Sequence, residues 1–453
     1  MSEAPKTDYY SQEDILLPLL VALKEEDFKT LGQLLTKQHP SDVAELLNLC
    51  DYDDREKIIA LLGDVDSDIL NYLDHEVKEQ VTSLLGIAVS AEAIGKLESN
   101  DAVQFVEDLP EEKREEILEQ LSTEKRLEVE DALAYPEDSA ARLANKDFVS
   151  VQMKSDVGDV IDFLRGTENL PHDFYTIFVI DDEGRPTHSV PLSRIMRSKR
   201  EIKVADLMRP VEYPIPAVTD QEEVANIFKK YNLISTPVVD GEGKMIGEIT
   251  VDDITYVIEE EAGEDMLALA GMGRSADIFS SSLKRFTSRS PWLMINLFTS
   301  ILSTFIVAHF NEVIAKVIAL AALMPVVSAL SGNVGTQALT VTVRALASQE
   351  LTFFNYVGVL RKEIFAAALS GIFVGAAAFV VSFVIFQNSQ ISFIMFISMI
   401  VTFMVGVILG SLIPMLMQKF GYDPAVTSPV FVTAITDVVS FFFFLGTATI
   451  LLL

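Results

Sequence analysis

Residues 429–453, PVFVTAITDVVSFFFFLGTATILLL, decide how this chain is organised. The stretch is long enough to cross a lipid bilayer, which requires about 20 mostly apolar residues. Its only charged residue is Asp437, in the first half. A carboxylate near the bilayer midplane costs roughly 2.5–3.5 kcal/mol, so it usually faces a partner, a water-filled path or an ion. We therefore predict a membrane domain in which Asp437 is a functional residue.

The net charge of −31 belongs entirely to residues 1–289, because residues 290–453 hold five acids and five bases. An acidic, soluble portion thus precedes the membrane domain. Such a surface attracts cations and repels nucleic acid, which is therefore not an expected partner. The single cysteine, Cys50, excludes an internal disulfide framework, and no Cys/His spacing suggests zinc.

Residues 1–146 are predicted to form an all-α, helical-repeat N domain. From residue 12 to about 142 the sequence repeats short amphipathic helices, such as HPSDVAELLNL and SNDAVQFVEDLPEEKREEILEQL. Serial helix pairs of this kind indicate a small superhelical stack. The acids of this domain have two interpretations, a solvated outer surface or weak cation sites between facing acidic patches.

From about Asp147 strands alternate with helices, and the unit occurs twice. FYTIFVIDDEGRPTHSV and LISTPVVDGEGKMIGEITVDDI each have the pattern of a strand, a turn and a second strand. The repeat resembles a tandem pair of α/β CBS domains, over residues 147–205 and 206–258. In the second copy, Thr250 and Asp253 form the Thr-x-x-Asp arrangement that many such domains use on nucleotide ribose. Two interpretations stay open, a bound adenine nucleotide such as ATP or a purely structural strand-to-helix turn.

Residues 259–289 are predicted to be a helix that connects the soluble domains to the membrane. Acids crowd around its start: Asp252, Asp253, Glu259, Glu260, Glu261, Glu264 and Asp265. Glu261, Glu264 and Asp265 fall at i, i+3 and i+4, which is one face of a helix. A bound divalent cation or a basic partner would relieve their repulsion, and a solvated acidic helix is the alternative. Glu222, in the helical stretch TDQEEVANIFKKY, is included with Asp252, Asp253 and these three acids among the predicted metal ligands.

The membrane domain, residues 290–453, is predicted to contain five transmembrane helices. The expected spans are about 291–310, 313–345, 364–386, 391–417 and 430–453. When the spans are counted alternately, the bases at 284–289, 361–362 and 419 fall on the side of the N-terminal domains. The positive-inside rule then predicts that those domains lie in the cytoplasm and the C-terminus outside. The expected location of this multi-pass protein is the cell inner membrane.

The second span carries another unusual segment, SGNVGTQ at residues 331–337. We predict that Pro325 and this segment interrupt the helix, because Gly332 and Gly335 let the backbone leave helical geometry. Non-helical backbone at this depth is tolerated where protein buries it or where it lines a water-filled cavity. The predicted lining of a pore around Asp437 is Gly332, Asn333, Gly335, Gln337 and Thr433. A close helix-packing seam of small residues is the alternative.

The ligand types around Asp437 favour a hard cation. One carboxylate combined with the neutral amide oxygens of Asn333 and Gln337 suits a hydrated Mg²⁺, which keeps several of its waters. The sequence therefore predicts divalent cations as partners, and the same ligand types do not distinguish Mg²⁺ from cobalt, nickel or manganese.

The order of these parts resembles the bacterial MgtE family of magnesium channels or transporters over nearly the whole chain. The stretches that carry the resemblance are HPSDVAELL, AYPEDSAARL, TPVVDGEGKMIGEITVDDI, EEEAGEDMLALAG, SPWLMINL, SGNVGTQALTVTVRALA and DPAVTSPVFVTAITD. The resemblance implies a homodimer with one central pore, magnesium-sensing cytosolic domains and a connecting helix that gates the pore. It places the pore acid at Asp437 and the acids of the connecting helix at Glu261, Glu264 and Asp265. Mg²⁺ would be both the transported and the regulatory ion.

Three positions depart from the family pattern. Ser331-Gly332-Asn333 stands where Gly-Gly-Asn is usual, and Pro429 lies one position before the usual proline. Tyr256 occupies a helix position where an acid is common, which predicts that one sensing ligand is missing.

Two other functions remain open. A proton-coupled exporter of divalent metal could use the same intramembrane acid. A membrane sensor with CBS domains and no transport would not need Asp437. An enzyme is not expected, because no nucleophile–base–acid grouping or phosphate-cradling loop is present in the sequence.

Overall fold

The computed structural model describes residues 12–452, except 64, 168–169, 172–173, 212 and 273–281. The chain divides into two compact units, one extending to Ile258 and the other beginning at Glu259. Each unit has its own apolar cores. The long apolar helices all lie in the second unit, which also contains the acids Glu259 to Asp265.

Short helices form the first part of the soluble unit. Several begin at a side chain that caps a backbone N–H, as Asp51 does for Asp54 and Ser122 does for Lys125. Their apolar faces meet in one core that includes Leu19, and this confirms the helical N domain. The helices are α1 Gln12–Lys24, α2 Phe28–Leu35, α3 Pro40–Leu49, α4 Tyr52–Leu62, α5 Ser67–Asn71, α6 His75–Leu85, α7 Ile87–Ile94, α8 Ser99–Glu107, α9 Glu111–Gln120 and α10 Thr123–Leu133.

Two small sheets follow, and they confirm the tandem CBS arrangement. The first copy contains β1 Ser150–Gln152, α12 Val157–Gly166, β2 Thr176–Ile180, β3 Pro186–Pro191, α13 Leu192–Arg197 and β4 Arg209–Pro210. The second contains β5 Ile215–Pro216, α14 Gln221–Tyr231, β6 Ser235–Val239 and β7 Met245–Thr250. Helix α11, Ala140–Leu143, precedes β1 in the chain but packs in the core of this second copy. The strand orders are β1-β2-β3-β4 and β5-β6-β7, each with a parallel first pair and an antiparallel hairpin.

The two hairpins turn in the same way, which explains the repeated sequence pattern. Asp181 Oδ1 accepts hydrogen bonds from the backbone N–H groups of residues 183 and 185, and Asp240 Oδ1 accepts them from residues 242 and 244. Gly184 and Gly243 both have φ of +80°, a conformation that glycine adopts without strain. The Asp-x-x-Gly turn is therefore the structural signature of both copies.

Long helices form the second unit. Helix α15, Val251–Leu269, contains the division between the units. The prediction of one continuous connecting helix over 259–289 is wrong, because α15 ends at Leu269 and the chain turns at residues 270–271. Residues 273–281 lie outside the described ranges, and α16 begins at Ser282. The remaining helices are α16 Ser282–His309, α17 Asn311–Lys316, α18 Ala319–Ala347, α19 Tyr356–Phe386, α20 Ser389–Lys419 and α21 Pro424–Leu452. In the described ranges, five of them (α16 and α18 to α21) are long and apolar enough to cross a membrane, which matches the predicted five.

The predicted interruption of the second span at Pro325 and SGNVGTQ is wrong, because both lie inside one continuous helix. Helix α18 runs without a break through residues 331–337, and the chain leaves helical geometry earlier, at Val317 and Ile318. A continuous helix satisfies every backbone N–H and C=O group within the membrane, which outweighs the conformational freedom of two glycines. The alternative, a packing seam of small residues, is the one that the structure contains.

This seam joins α18 to α20. Helix α20 also packs against α19 and α21. A Cβ atom on Gly406 would lie 3.0 Å from the carbonyl oxygen of Ser331, and one on Gly410 would collide with the carbonyl oxygen of Gly335. The two helices therefore touch through their backbones. On the other side, a Cβ atom on Gly371 of α19 would lie 2.8 Å from Ile400 Cα of α20.

Candidate functional site

Asp437 lies half-buried on α21, where it faces α18. Its Oδ1 atom accepts a hydrogen bond of 2.5 Å from the hydroxyl of Ser328. Within the described part of the chain, no lysine, arginine or histidine forms an ion pair with this carboxylate. A carboxylate can accept about four hydrogen bonds, so Asp437 keeps most of its capacity to bind a ligand.

A glycine lets α18 approach α21 closely enough for this bond. A Cβ atom on Gly335 would lie 3.1 Å from Val432 Cγ1 and 3.3 Å from Thr436 Cγ2. Gly335 is buried between α20 and α21. It therefore packs helices together instead of lining an open surface, which corrects its predicted place in the pore lining.

The amides predicted to line a pore lie on an exposed polar stripe of α18. Asn333 and Gln337 are both exposed, and the stripe continues at helical spacing through Thr336, Thr340 and Arg344. Amide groups on a membrane-spanning helix face a water-filled path or another protein surface, because lipid offers them no hydrogen bonds.

The other two predicted lining residues, Thr433 and Gly332, lie near Asp437 and Asn333 along their own helices. Thr433 is exposed on α21, one turn before Asp437, and its hydroxyl donates to the carbonyl oxygen of Pro429 at 2.9 Å. Gly332 is half-buried on α18, four residues after Ser328. Ser331 departs from the family's usual glycine and donates to the carbonyl oxygen of Thr402 at 3.1 Å, which ties α18 to α20.

The predicted regulatory acids do not converge into a formed metal site. Glu261, Glu264 and Asp265 lie half-buried on α15. This segment is helical, as predicted, so the three acids share one face of the helix. Glu222 is exposed in the first turn of α14, and Asp252 is exposed at the start of α15. In the ranges that the structure describes, no group of three His, Cys, Asp or Glu side chains could hold a metal ion.

Asp253 is satisfied by protein groups. The backbone N–H and the hydroxyl of Thr250 donate to its Oδ2 at 2.9 and 2.7 Å, and Asn100 Nδ2 of α8 donates to its Oδ1 at 2.8 Å. Burial raises the pKa of Asp253 to about 7, although the bonds from Thr250 lower it. Thr250 and Asp253 thus bond to each other in the strand-to-helix turn, and Asp253 also bonds to Asn100 of the N domain. The sequence does not indicate that Asn100 binds Asp253, because the two residues lie 153 positions apart.

A second buried acid, Glu248, lies on β7 in the same region. Its side chain is 3% exposed, and its Oε1 atom has no hydrogen-bond partner among the described residues. Burial raises the pKa of Glu248 to about 7, and the nearby carboxylates of Asp253 and Asp252 add to this effect. The backbone of Glu248 pairs with Asn145 in an antiparallel bridge.

Comparison with known proteins identifies the family of this chain. The family description "MgtE: Divalent cation transporter" matches residues 324–447, "MgtE intracellular N domain" matches 38–138, and "CBS domain" matches 204–260. The magnesium transporter MgtE of Thermus thermophilus is 30% identical over 97% of this chain and 99% of its own. The chain belongs to the MgtE family.

Other MgtE proteins extend this similarity. The magnesium transporter MgtE of Bacillus subtilis is 26% identical over 96% of this chain and 97% of its own. A crystal structure of the cytosolic domain of the Mg²⁺ channel MgtE in complex with ATP covers 53% of this chain and 99% of its own, at 28% identity and a TM-score of 0.49. The MgtE relatives are named as transporters, so this family member is a membrane transport protein and not an enzyme.

Proposed function

We propose that this chain conducts Mg²⁺ through a pore in which Asp437 binds the passing ion. The observation that carries the proposal concerns the Asp437 carboxylate, which lies within a candidate membrane span and accepts a hydrogen bond from the Ser328 hydroxyl. It has no basic partner among the described residues. A charge in that position is costly unless an ion or water reaches it. The exposed stripe of Asn333 and Gln337 on the neighbouring helix α18 supports the same path.

The pore would lie on the axis of a homodimer. A two-fold axis brings two copies of Asp437 together, and two carboxylates balance the charge of one divalent ion. Mg²⁺ gives up its waters reluctantly, so the carboxylates and the amide oxygens of Asn333 and Gln337 would contact its hydration shell. Thr433 lies one turn before Asp437 on α21 and would contact the same shell. The exposed polar stripe of α18 would be covered by water or by the second copy.

Cytosolic Mg²⁺ would close this pore. The C-terminal end of α15 packs against the membrane helices: Ala268 is 2% exposed and lies in one cluster with Leu339 of α18 and Val432 of α21. A change in the position of α15 therefore acts directly on the two helices that carry the polar stripe and Asp437. Mg²⁺ bound to Glu261, Glu264 and Asp265 would reduce their repulsion and stabilise the closed position. Several weak sites with different affinities for the two states suffice for this shift.

We also propose that the soluble unit is cytoplasmic and that the C-terminus is outside, in the inner membrane. The supporting observation is that five candidate spans put the two ends of the membrane unit on opposite sides. The bases Arg361, Lys362 and Lys419 then lie on the cytoplasmic side. An adenine nucleotide at Thr250 and Asp253 would have to displace the bonds between these residues, so we propose that this turn is structural.

The test is ion uptake into liposomes by purified protein. Asp437→Asn should reduce Mg²⁺ uptake to the level of protein-free liposomes while the protein still assembles, because the charge that attracts the ion is gone. Asp423→Asn is the matched control, since Asp423 is exposed at the start of α21 and caps Ala425 N–H at 2.8 Å. Wild-type uptake by assembled Asp437→Asn protein would overturn the assignment.

The same liposomes distinguish the pore from a proton-coupled exporter. Mg²⁺ uptake through a pore follows the Mg²⁺ gradient and the membrane potential. An imposed pH gradient should therefore leave its rate unchanged when the potential is clamped. Uptake that requires a pH gradient would support the exporter instead.

A further inference from the structure

Most hydroxyl groups of the membrane helices bond within their own helix. They donate to a backbone carbonyl four residues earlier, as in Thr304, Thr340, Thr342, Thr433, Thr436 and Thr449. This is the usual choice for serine and threonine in a helix. In the described ranges of these helices, Ser328 and Ser331 of α18 donate to another helix instead.

The two serines have different acceptors. Ser331 donates to a neutral backbone carbonyl, that of Thr402, whereas Ser328 donates to the charged carboxylate of Asp437. Hydrogen bonds to a charged group are roughly twice as strong as those between neutral groups. The charge of its acceptor therefore makes the Ser328 bond the stronger of these two bonds between helices.

The packing around Gly335 fixes the distance that Ser328 must span. Gly335 lies seven residues after Ser328 and brings α18 against Val432 and Thr436 of α21. A serine hydroxyl is carried on one rotatable bond, so it holds its acceptor at a nearly fixed position once both helices are in place. The Oδ1 atom of Asp437 is therefore held against α18, and rotation of the carboxylate is restricted.

We propose that Ser328 is a positioning residue for the transported ion. It restrains the Asp437 carboxylate, and the restrained carboxylate binds the ion in its hydrated form. This inference rests on the proposed function of Asp437. With Oδ1 engaged by Ser328, the carboxylate offers one free oxygen to the hydration shell of Mg²⁺. A carboxylate released from Ser328 can turn and chelate an ion with both oxygens. That geometry favours Ca²⁺, which takes six to eight oxygen ligands and loses water more readily than Mg²⁺.

The experiment measures Mg²⁺ and Ca²⁺ uptake into liposomes for matched serine variants. Ser328→Ala should raise the ratio of Ca²⁺ to Mg²⁺ uptake by about tenfold, which corresponds to about 1.4 kcal/mol. Ser328→Thr restores the donor and should return the ratio to the wild-type value. Ser331→Ala removes an equivalent inter-helix hydroxyl bond from the same helix and should leave the ratio unchanged. If the Ser328→Ala protein does not assemble, Ser328→Cys keeps the volume with a weak donor and should shift the ratio in the same direction.

The outcomes separate this inference from the proposed function. An unchanged ratio in Ser328→Ala or Ser328→Cys, in a preparation where Asp437→Asn abolishes uptake, would reduce Ser328 to a packing residue. An equal shift in Ser331→Ala would attribute the change to looser helix packing and would also overturn the inference. Wild-type uptake by Asp437→Asn would instead overturn the proposed ion site itself.

Discussion

The soluble unit and the membrane unit each hold a carboxylate that the sequence marks as an ion ligand, and the two are satisfied differently. Asp253 of the soluble unit has both oxygens engaged, by Thr250 and by Asn100. Asp437 of the membrane unit has one oxygen engaged, by Ser328. The acid in the less polar surroundings thus has fewer protein donors.

This difference indicates what each acid does. Hydrogen bonds to a charged group contribute about 1.5–3 kcal/mol each, and a buried group left without partners costs a similar amount. Both carboxylate oxygens of Asp253 accept hydrogen bonds, and the bond from Asn100 joins the second CBS copy to the N domain. Asp437 keeps capacity that a cation and its waters can use.

The largest expected difference between the two acids is in transport. Asp437→Asn should abolish Mg²⁺ uptake and leave the melting temperature of the soluble unit unchanged, whereas Asp253→Asn should retain uptake. Uptake in liposomes and thermal unfolding of the same preparations check both statements. Loss of uptake in Asp253→Asn, with the protein folded, would remove the contrast between the two acids.

The second largest expected effect is on the free energy of unfolding of the soluble unit. Asp253→Ala should destabilise the soluble unit by about 2–4 kcal/mol, because Asn100 and the backbone N–H of Thr250 lose their acceptor. Asp252→Ala is the matched control, since its side chain is exposed next to Asp253, and it should change stability little. Denaturant unfolding measures both variants, and equal values for the two would contradict a structural role for Asp253.

Glu248 sharpens the comparison, because it is a buried acid whose Oε1 atom has no hydrogen-bond partner among the described residues. Its folded-state pKa of about 7 lies above the ordinary 4.5. The folded protein therefore holds the proton more tightly, and Glu248 lowers stability as pH rises from about 4.5 to about 7. Glu248→Gln should reduce the loss of the free energy of unfolding between pH 5 and pH 8 by an amount on the order of 2 kcal/mol, measured by denaturant unfolding at both pH values. A pH profile identical to that of the wild type would show that Glu248 does not titrate in this range.

The smallest expected effect is on gating. Neutralising Glu261, Glu264 and Asp265 together should shift closure to about threefold higher cytosolic Mg²⁺, about 0.7 kcal/mol. Each site is weak, so their loss changes the balance between states only moderately. Patch recordings with controlled Mg²⁺ on the cytoplasmic face measure the shift. Neutralising the exposed Glu259 and Glu260 on the same helix is the control, and an equal shift there would indicate a general charge effect.

The features predictable from sequence are those set by local patterns. Apolar runs of sufficient length predict the five spans, and the repeated pattern of a strand, a turn and a second strand predicts the two α/β copies. Asp437 was identifiable because one charge in an apolar stretch needs a reason. The partners of the two acids were not identifiable, because Ser328 and Asp437 lie 109 residues apart, and Asn100 and Asp253 lie 153 apart. No local pattern encodes such pairs.

The glycines of span two show why a correct motif was misinterpreted. The sequence marks Gly332 and Gly335 as flexible, and flexibility predicts a break in an isolated helix. The missing side chain of Gly335 instead makes room for Val432 and Thr436 of α21, and the missing side chains of Gly406 and Gly410 let α20 approach the backbone of α18. Whether glycine breaks a helix or packs it depends on the facing helix, which a single segment does not reveal.

The backbone contact between α18 and α20 also limits how this protein can move. Where two helices touch through side chains, rotamer changes can absorb a sliding motion of an ångström or more. At Gly335 and Gly410 there are no side chains to adjust, so a sliding motion would drive one peptide group into the other. We expect α18 and α20 to travel as one rigid body. The displacement that opens or narrows the polar stripe must then occur between this body and the other helices, or between two copies of it.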